Sequence, residues 1–100
     1  MAFTKTITCP ETNQTYTDAY CFVGTITDYG DSCRIQVKVY SSSDDVESYE
    51  PCYIKEEICD TTDYPTYFAE SVLDDADKTM RSQAQVYVLT TATFTGGTPV

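Results

Sequence analysis

Strand-like alternation opens the chain. Between residues 3 and 9, Phe3, Ile7 and Cys9 share one parity while Thr4, Thr6 and Thr8 take the other, the pattern of a strand with one wet face. Lys5 interrupts the apolar row, which suits an edge strand, or an arm that pairs with a neighbouring subunit. Pro10 ends the run, and Glu11 to Asp18 is a polar connection. The clearest signal comes over residues 19–40. Tyr20, Phe22, Gly24 and Ile26 alternate with Cys21, Val23, Thr25 and Thr27, and Ile35, Val37 and Val39 alternate with Arg34, Gln36, Lys38 and Tyr40. A two-residue turn at Gly30-Asp31 sets Ile26 against Ile35, Gly24 against Val37 and Phe22 against Val39. The same register pairs Cys33 with Asp28 and Cys21 with Tyr40. Glycine at the first turn position is what a type II′ hairpin requires.

Beyond the hairpin the pattern loosens. Ser41 to Glu50 is a polar, acidic loop before Pro51. Residues 52–58 read as a third strand, with Cys52, Ile54 and Ile58 on one face and Tyr53, Lys55 and Glu57 on the other. Glu56 falls among the apolar set, so this strand is either weakly specified or lies at an edge. Asp60 to Tyr64 is a second acidic loop closed by Pro65. From there the period changes to three and four. Leu73, Ala76, Met80, Ala84 and Tyr87 form a helical stripe, capped at Thr66 or Ser71, with acids early and Lys78 and Arg81 later, as the helix dipole prefers. The spacing predicts a helix over 68–82. Residues 84–91 continue the stripe with the composition of a strand, so either state is open. Residues 92–100, with Gly96-Gly97 and Pro99, read as a loose tail. The expected fold is a single α+β domain, mostly β: a small antiparallel sheet, or a partial barrel or sandwich, with one C-terminal helix.

Composition sharpens this picture. The chain has 100 residues, 16 acids against 6 bases, a net charge of -10 and no histidine. One hundred residues hold one domain with one core. Acid at this density repels phosphate backbones and anionic lipid, so neither nucleic acid nor a membrane is an expected partner. Residues 1–10 show no signal-peptide pattern, and no stretch is apolar enough to span a bilayer, so folding in a cytoplasm is expected. Five cysteines at 9, 21, 33, 52 and 59 are an odd number without a C-x-x-C couple. Neither a disulfide framework nor a zinc site fits that spacing, and reduced, packed thiols are expected, with one buried disulfide formed after cell lysis as the alternative.

Candidate chemistry is sparse. Asp74 to Asp77 lacks the glycine and the distal glutamate of a calcium loop and reads as a helix start, while Asp44/Asp45 and Glu56/Glu57 read as solvated loops, with adventitious cation binding at 44–50 as the alternative. A cysteine nucleophile would lack an imidazole base, and nearby acids raise thiol pKa values. No catalytic, cofactor-binding or metal residue is expected, and the chain is not expected to be an enzyme. The nine tyrosines are the remaining inventory. Tyrosine pairs a large apolar area with a polar tip, which suits both a thin core and an interface. Tyr29, Tyr49, Tyr53, Tyr64 and Tyr67 are the interface candidates, joined by Phe3 and Ile7 if the first strand pairs with a neighbour.

The two ends then point outward together. Met1-Ala2-Phe3-Thr4-Lys5-Thr6-Ile7-Thr8 resembles the opening of short proteins encoded among the virion and tail genes of tailed bacteriophages. Gln83-Ala84-Gln85-Val86-Tyr87-Val88-Leu89-Thr90-Thr91, followed by Phe94 and Gly96, resembles the Q-A-Y-x-Y-L-K-T…F-x-G close of that group. An extra residue precedes Tyr87, and Thr90 stands where lysine is usual. The resemblance implies a non-enzymatic virion protein of the tail or baseplate, or an adaptor. It would fold in the infected bacterium's cytoplasm and contact other virion proteins and further copies of itself. Alternatives are a capsid decoration protein, or a small acidic inhibitor that mimics nucleic acid against a basic host protein.

Overall fold

The computed structural model describes residues 2–10, 12–42, 51–74 and 78–100. Its strands are β1 (Ala2–Thr8), β2 (Thr15–Asp28), β3 (Cys33–Tyr40), β4 (Tyr53–Cys59) and a short β5 (Thr98–Pro99). Three helices lie between β4 and β5: α1 (Tyr64–Phe68), α2 (Glu70–Leu73) and α3 (Met80–Val88). The strands form one open antiparallel sheet in the order β4-β3-β2-β1-β5. Its inner face carries Phe3, Cys21, Val23, Ile35, Val37 and Val39, which pack with Phe68, Ala84, Tyr87, Val88 and Phe94 from the helical layer and the segment after it. The fold is therefore α+β and mostly β, as a single covered sheet rather than a barrel or sandwich.

The hairpin turns at Gly30-Asp31, with Gly30 at φ +89° and Asp31 outside the left-handed region, the type II′ arrangement. Ile26 faces Ile35 and Cys33 faces Asp28. Past Ile26 the expected register fails. Val23, not Gly24, faces Val37; Cys21, not Phe22, faces Val39; and Tyr20 takes the place opposite Tyr40. The cause is a bulge, in which Gly24 and Thr25 together oppose Gln36, so all earlier positions of β2 change face. A Cβ on Gly24 would lie 3.2 Å from the Gln36 carbonyl oxygen, which is why glycine sits there. Arg81 of α3 holds the bulge, its Nη1 donating to the Val23 and Gly24 carbonyls at 2.8 and 2.7 Å. A second irregularity between Lys5 and Ile7 accommodates Asp18 at φ 49°, so β2 starts well inside the expected polar connection.

β4 presents the opposite face from that expected. Its register with β3 aligns Tyr53, Lys55, Glu57 and Cys59 with the inward Val39, Val37, Ile35 and Cys33. Ile54 and Ile58 point outward, 47% and 56% exposed. The inward face carries both members of an ion pair, Lys55 Nζ to Glu57 Oε1 at 3.7 Å, and outward Glu56 is paired with Arg34 Nε at 3.2 Å. Burying Glu56 with the isoleucines would have left a carboxylate in the core without such a neighbour.

The single helix expected over 68–82 is instead a broken series. Ala69, with ψ 149°, separates α1 from α2. Pro65 lies in the first turn of α1, where its missing N–H costs nothing, so it starts a helix rather than closing a loop. α3 is capped by Thr79, whose hydroxyl accepts from Ser82 N at 3.1 Å while Ser82 Oγ accepts from Thr79 N at 2.8 Å. Residues 84–88 are helical and 89–91 leave the helix as a turn. The Thr90 and Thr91 hydroxyls donate to the Tyr87 and Val88 carbonyls at 2.6 and 2.7 Å, adding to the amides of the same residues, which donate to those carbonyls at 2.9 and 3.1 Å.

Residues 92–100 are no loose tail. Phe94 is fully buried, edge-on to Phe3 with ring centroids 5.5 Å apart, and β5 pairs with β1. Lys5, whose charge was read as an edge signal, donates its ammonium to the Thr93 and Thr95 carbonyls at 3.0 and 2.6 Å. The first strand is thus tied to its own C-terminus.

Candidate functional site

A cleft of about 650 Å³ opens where the tip of the β2–β3 hairpin meets the first two helices. Three local features build it. Asp28 sits at the last paired position of β2, and the II′ turn carries Gly30 and Asp31 past the end of the sheet. An Asx turn at Asp60, whose Oδ1 accepts from the amides of Thr62 and Asp63 at 3.1 and 3.0 Å, redirects the chain from β4 into α1. The break at Ala69 then swings Glu70 and Leu73 across from the hairpin. Tyr64, Pro65, Phe68, Ala69 and Leu73 supply the apolar lining, and Asp28, Asp31 and Glu70 supply negative charge, with no basic residue among the lining positions.

Asp28 and Tyr64 bridge the two sides. Asp28 Oδ1 accepts from Gly30 N at 2.9 Å and from the Tyr64 hydroxyl at 2.8 Å. Desolvation pushes the Tyr64 phenol up to about 12, reinforced by its hydrogen bond to Asp28 and by that carboxylate's charge. Tyr64 therefore stays protonated at neutral pH and acts as a donor. A cleft of this size with an apolar floor and a few placed polar groups is a docking shape, and its charge selects a cationic or basic occupant.

The other expected interface residues scatter. Phe3 and Ile7 are buried, 0% and 4% exposed, and belong to this chain's own core, which corrects their assignment to a contact with a neighbour. Tyr67 meets Tyr87 edge-on with centroids 5.3 Å apart, and its carbonyl accepts from Gln83 Nε2 at 3.0 Å, so it serves packing. Tyr53 lies half-buried on the inward face of β4. Tyr29 is 57% exposed and borders a shallow hollow of about 130 Å³ on the outer sheet face, beside Arg34 and Glu56. Tyr49 and the acidic positions 44–50 lie outside the described residues, as do Asp75 and Asp77. Among the described residues of the expected set, only Tyr64 reaches the cleft. Its carboxylates went unforeseen because Asp28 and Glu70 are 42 positions apart in the chain.

The cysteines stand as thiols, with Cys9, Cys21, Cys33 and Cys59 buried and Cys52 exposed. Burial pushes Cys21 and Cys59 up to about 12 and Cys33 to about 11. Lys5 opposes the shift at Cys21, and nearby carboxylates add to it at Cys33 and Cys59. These three are therefore protonated, poorly nucleophilic groups that pack as small hydrophobes. Glu57 stands apart from the apolar residues of the inner face. Its Oε1 is buried and accepts no hydrogen bond, and desolvation raises its pKa against the lowering effect of Lys55.

Among the described residues no group of three or more Cys, Asp or Glu is placed to hold a metal ion, and no helix is long and apolar enough to cross a membrane. No family model, curated protein or solved structure matches the chain.

Proposed function

We propose that this chain is a non-enzymatic assembly subunit of a tailed-phage virion, in the tail or baseplate or as an adaptor, that docks a basic neighbour in its acidic cleft. The observation that carries the reading is the cleft, whose lining combines apolar Phe68 and Leu73 with Asp28, Asp31 and Glu70. That combination recognises the aliphatic stem and charged head of a lysine or arginine presented by another protein. The resemblance of the chain's ends supports the setting. Its residues are packing residues: Phe3 and Phe94 touch each other, while Ala84 and Tyr87 lie in the same core. The two resembling segments thus form one structural unit, although 74 positions separate residue 8 from residue 83.

The test supplies the chain in trans during infection by the phage that encodes it. Asp31 and Glu70 are exposed, so Asp31→Lys/Glu70→Lys keeps the fold while reversing the charge of the cleft. The expected result is a soluble, folded variant that is depleted from purified particles relative to wild type. Equal incorporation of the variant rejects the docking role of the cleft.

A further inference from the structure

We infer that two copies of this chain join edge to edge through β4, antiparallel, with a two-fold axis at Glu56, making one continuous ten-stranded sheet. The inference names the copy-to-copy contact within the proposed assembly subunit, and it rests on that reading only for its biological setting.

β4 is a terminal strand of the sheet, and among the described residues no strand pairs with its outer side. A seven-residue open edge is a template for another strand. The sequence around its centre, Ile54-Lys55-Glu56-Glu57-Ile58, is complementary to its own reverse. An antiparallel pair centred on Glu56 places Lys55 opposite Glu57 of the other copy, and Ile54 opposite Ile58 of the other copy, each twice. On the inner face this gives the buried Glu57 Oε1, which accepts no hydrogen bond from the described residues, a second ammonium group. On the outer face it covers Ile54 and Ile58, two of the most exposed large apolar side chains.

Competing registers are worse. Centring the pair on Lys55 opposes two ammonium groups and sets Ile54 against Glu56. Centring it on Glu57 opposes two half-buried carboxylates and sets Ile58 against Glu56. In the register proposed, the like-charged pair is Glu56 with itself, on the solvent face, where each copy already holds it with Arg34 at 3.2 Å. The Ile58 carbonyl accepts from the Tyr87 hydroxyl at 2.7 Å, and its second lone pair remains for an N–H of the other copy.

Sedimentation equilibrium on purified protein tests this. Wild type should dimerise, and Ile58→Lys, a change at an exposed position, should weaken the dimer by about tenfold or more while leaving the monomer folded. Lys55→Glu and Glu57→Lys should each weaken it, and the double variant Lys55→Glu/Glu57→Lys should restore it. Glu56→Gln should tighten it. A wild type that stays monomeric up to about 1 mM, a dimer indifferent to Ile58→Lys, or a charge swap that fails to restore association overturns the inference. None of these results depends on whether the chain is found in particles.

Discussion

Replacing Gly97 by alanine asks whether the last nine residues belong to the core. Gly97 has an ordinary backbone angle, so alanine is sterically allowed by its own dihedrals. In an unconstrained tail the change is neutral. In an ordered segment with room for a methyl group it stabilises by about 0.4–1 kcal/mol by restricting the unfolded chain. Here the new Cβ would lie 2.7 Å from Phe3 Cδ2 and 2.8 Å from Leu89 Cδ2. Phe3 is fully buried and wedged against Phe94, so its ring cannot retreat, and Leu89 alone cannot relieve both contacts. Overpacking of this kind costs about 1–3 kcal/mol. Setting the two effects against each other leaves a net loss of about 1–2 kcal/mol. Urea unfolding followed by tyrosine fluorescence reads it. With a slope of about 2 kcal/mol/M, the midpoint should fall by about 0.5–1 M. A midpoint that is unchanged or higher refutes the packing of Gly97 between Phe3 and Leu89.

Three further outcomes follow from other parts of the molecule. Thr79→Ala removes the hydroxyl that caps α3 and should cost about 1 kcal/mol in thermal or urea unfolding; no loss would mean that the box formed with Ser82 does not hold that helix end. Glu57 has a folded-state pKa raised chiefly by burial. Its stabilising contribution is full when the carboxyl is protonated, below its unfolded pKa, and is lost as pH rises through the folded value. Glu57→Gln should therefore flatten the stability decline that begins in the carboxylate range, and an identical pH profile for wild type and variant refutes the assignment. Native protein treated with iodoacetamide at pH 8 should be alkylated at exposed Cys52 long before Cys21, Cys33 or Cys59, whose thiols titrate near 11–12; peptide mass spectrometry showing equal labelling contradicts their burial.

Local chemistry was legible where one residue type determined it. Gly30-Asp31 fixed the hairpin turn, because a II′ turn needs glycine at its first position. Alternation was misleading where an extra residue entered the strand. Gly24 fits a period of two as well as any residue, yet an isolated strand glycine also marks a bulge, and the bulge moved Cys21 and Val23 to the inside. At β4 hydrophobicity favoured one face and charge neutralisation the other, and pairing with β3 settled it in favour of Lys55 and Glu57. The break at Ala69 has no signature of its own, since alanine is the best helix former. Phe94 was hidden by its company of threonines and glycines, and its burial depends on Phe3, 91 positions away. The cleft was illegible for the same reason: it exists only once the hairpin tip and α2 are brought together by the sheet.

The most direct test of the proposed assembly role is absolute quantification of the chain in purified particles of the tailed phage proposed to encode it, using isotope-labelled peptide standards. An assembly subunit built from paired copies predicts a fixed, even copy number per particle that survives salt and nuclease washing. Absence from the particles, or a trace amount that varies between preparations, would contradict it.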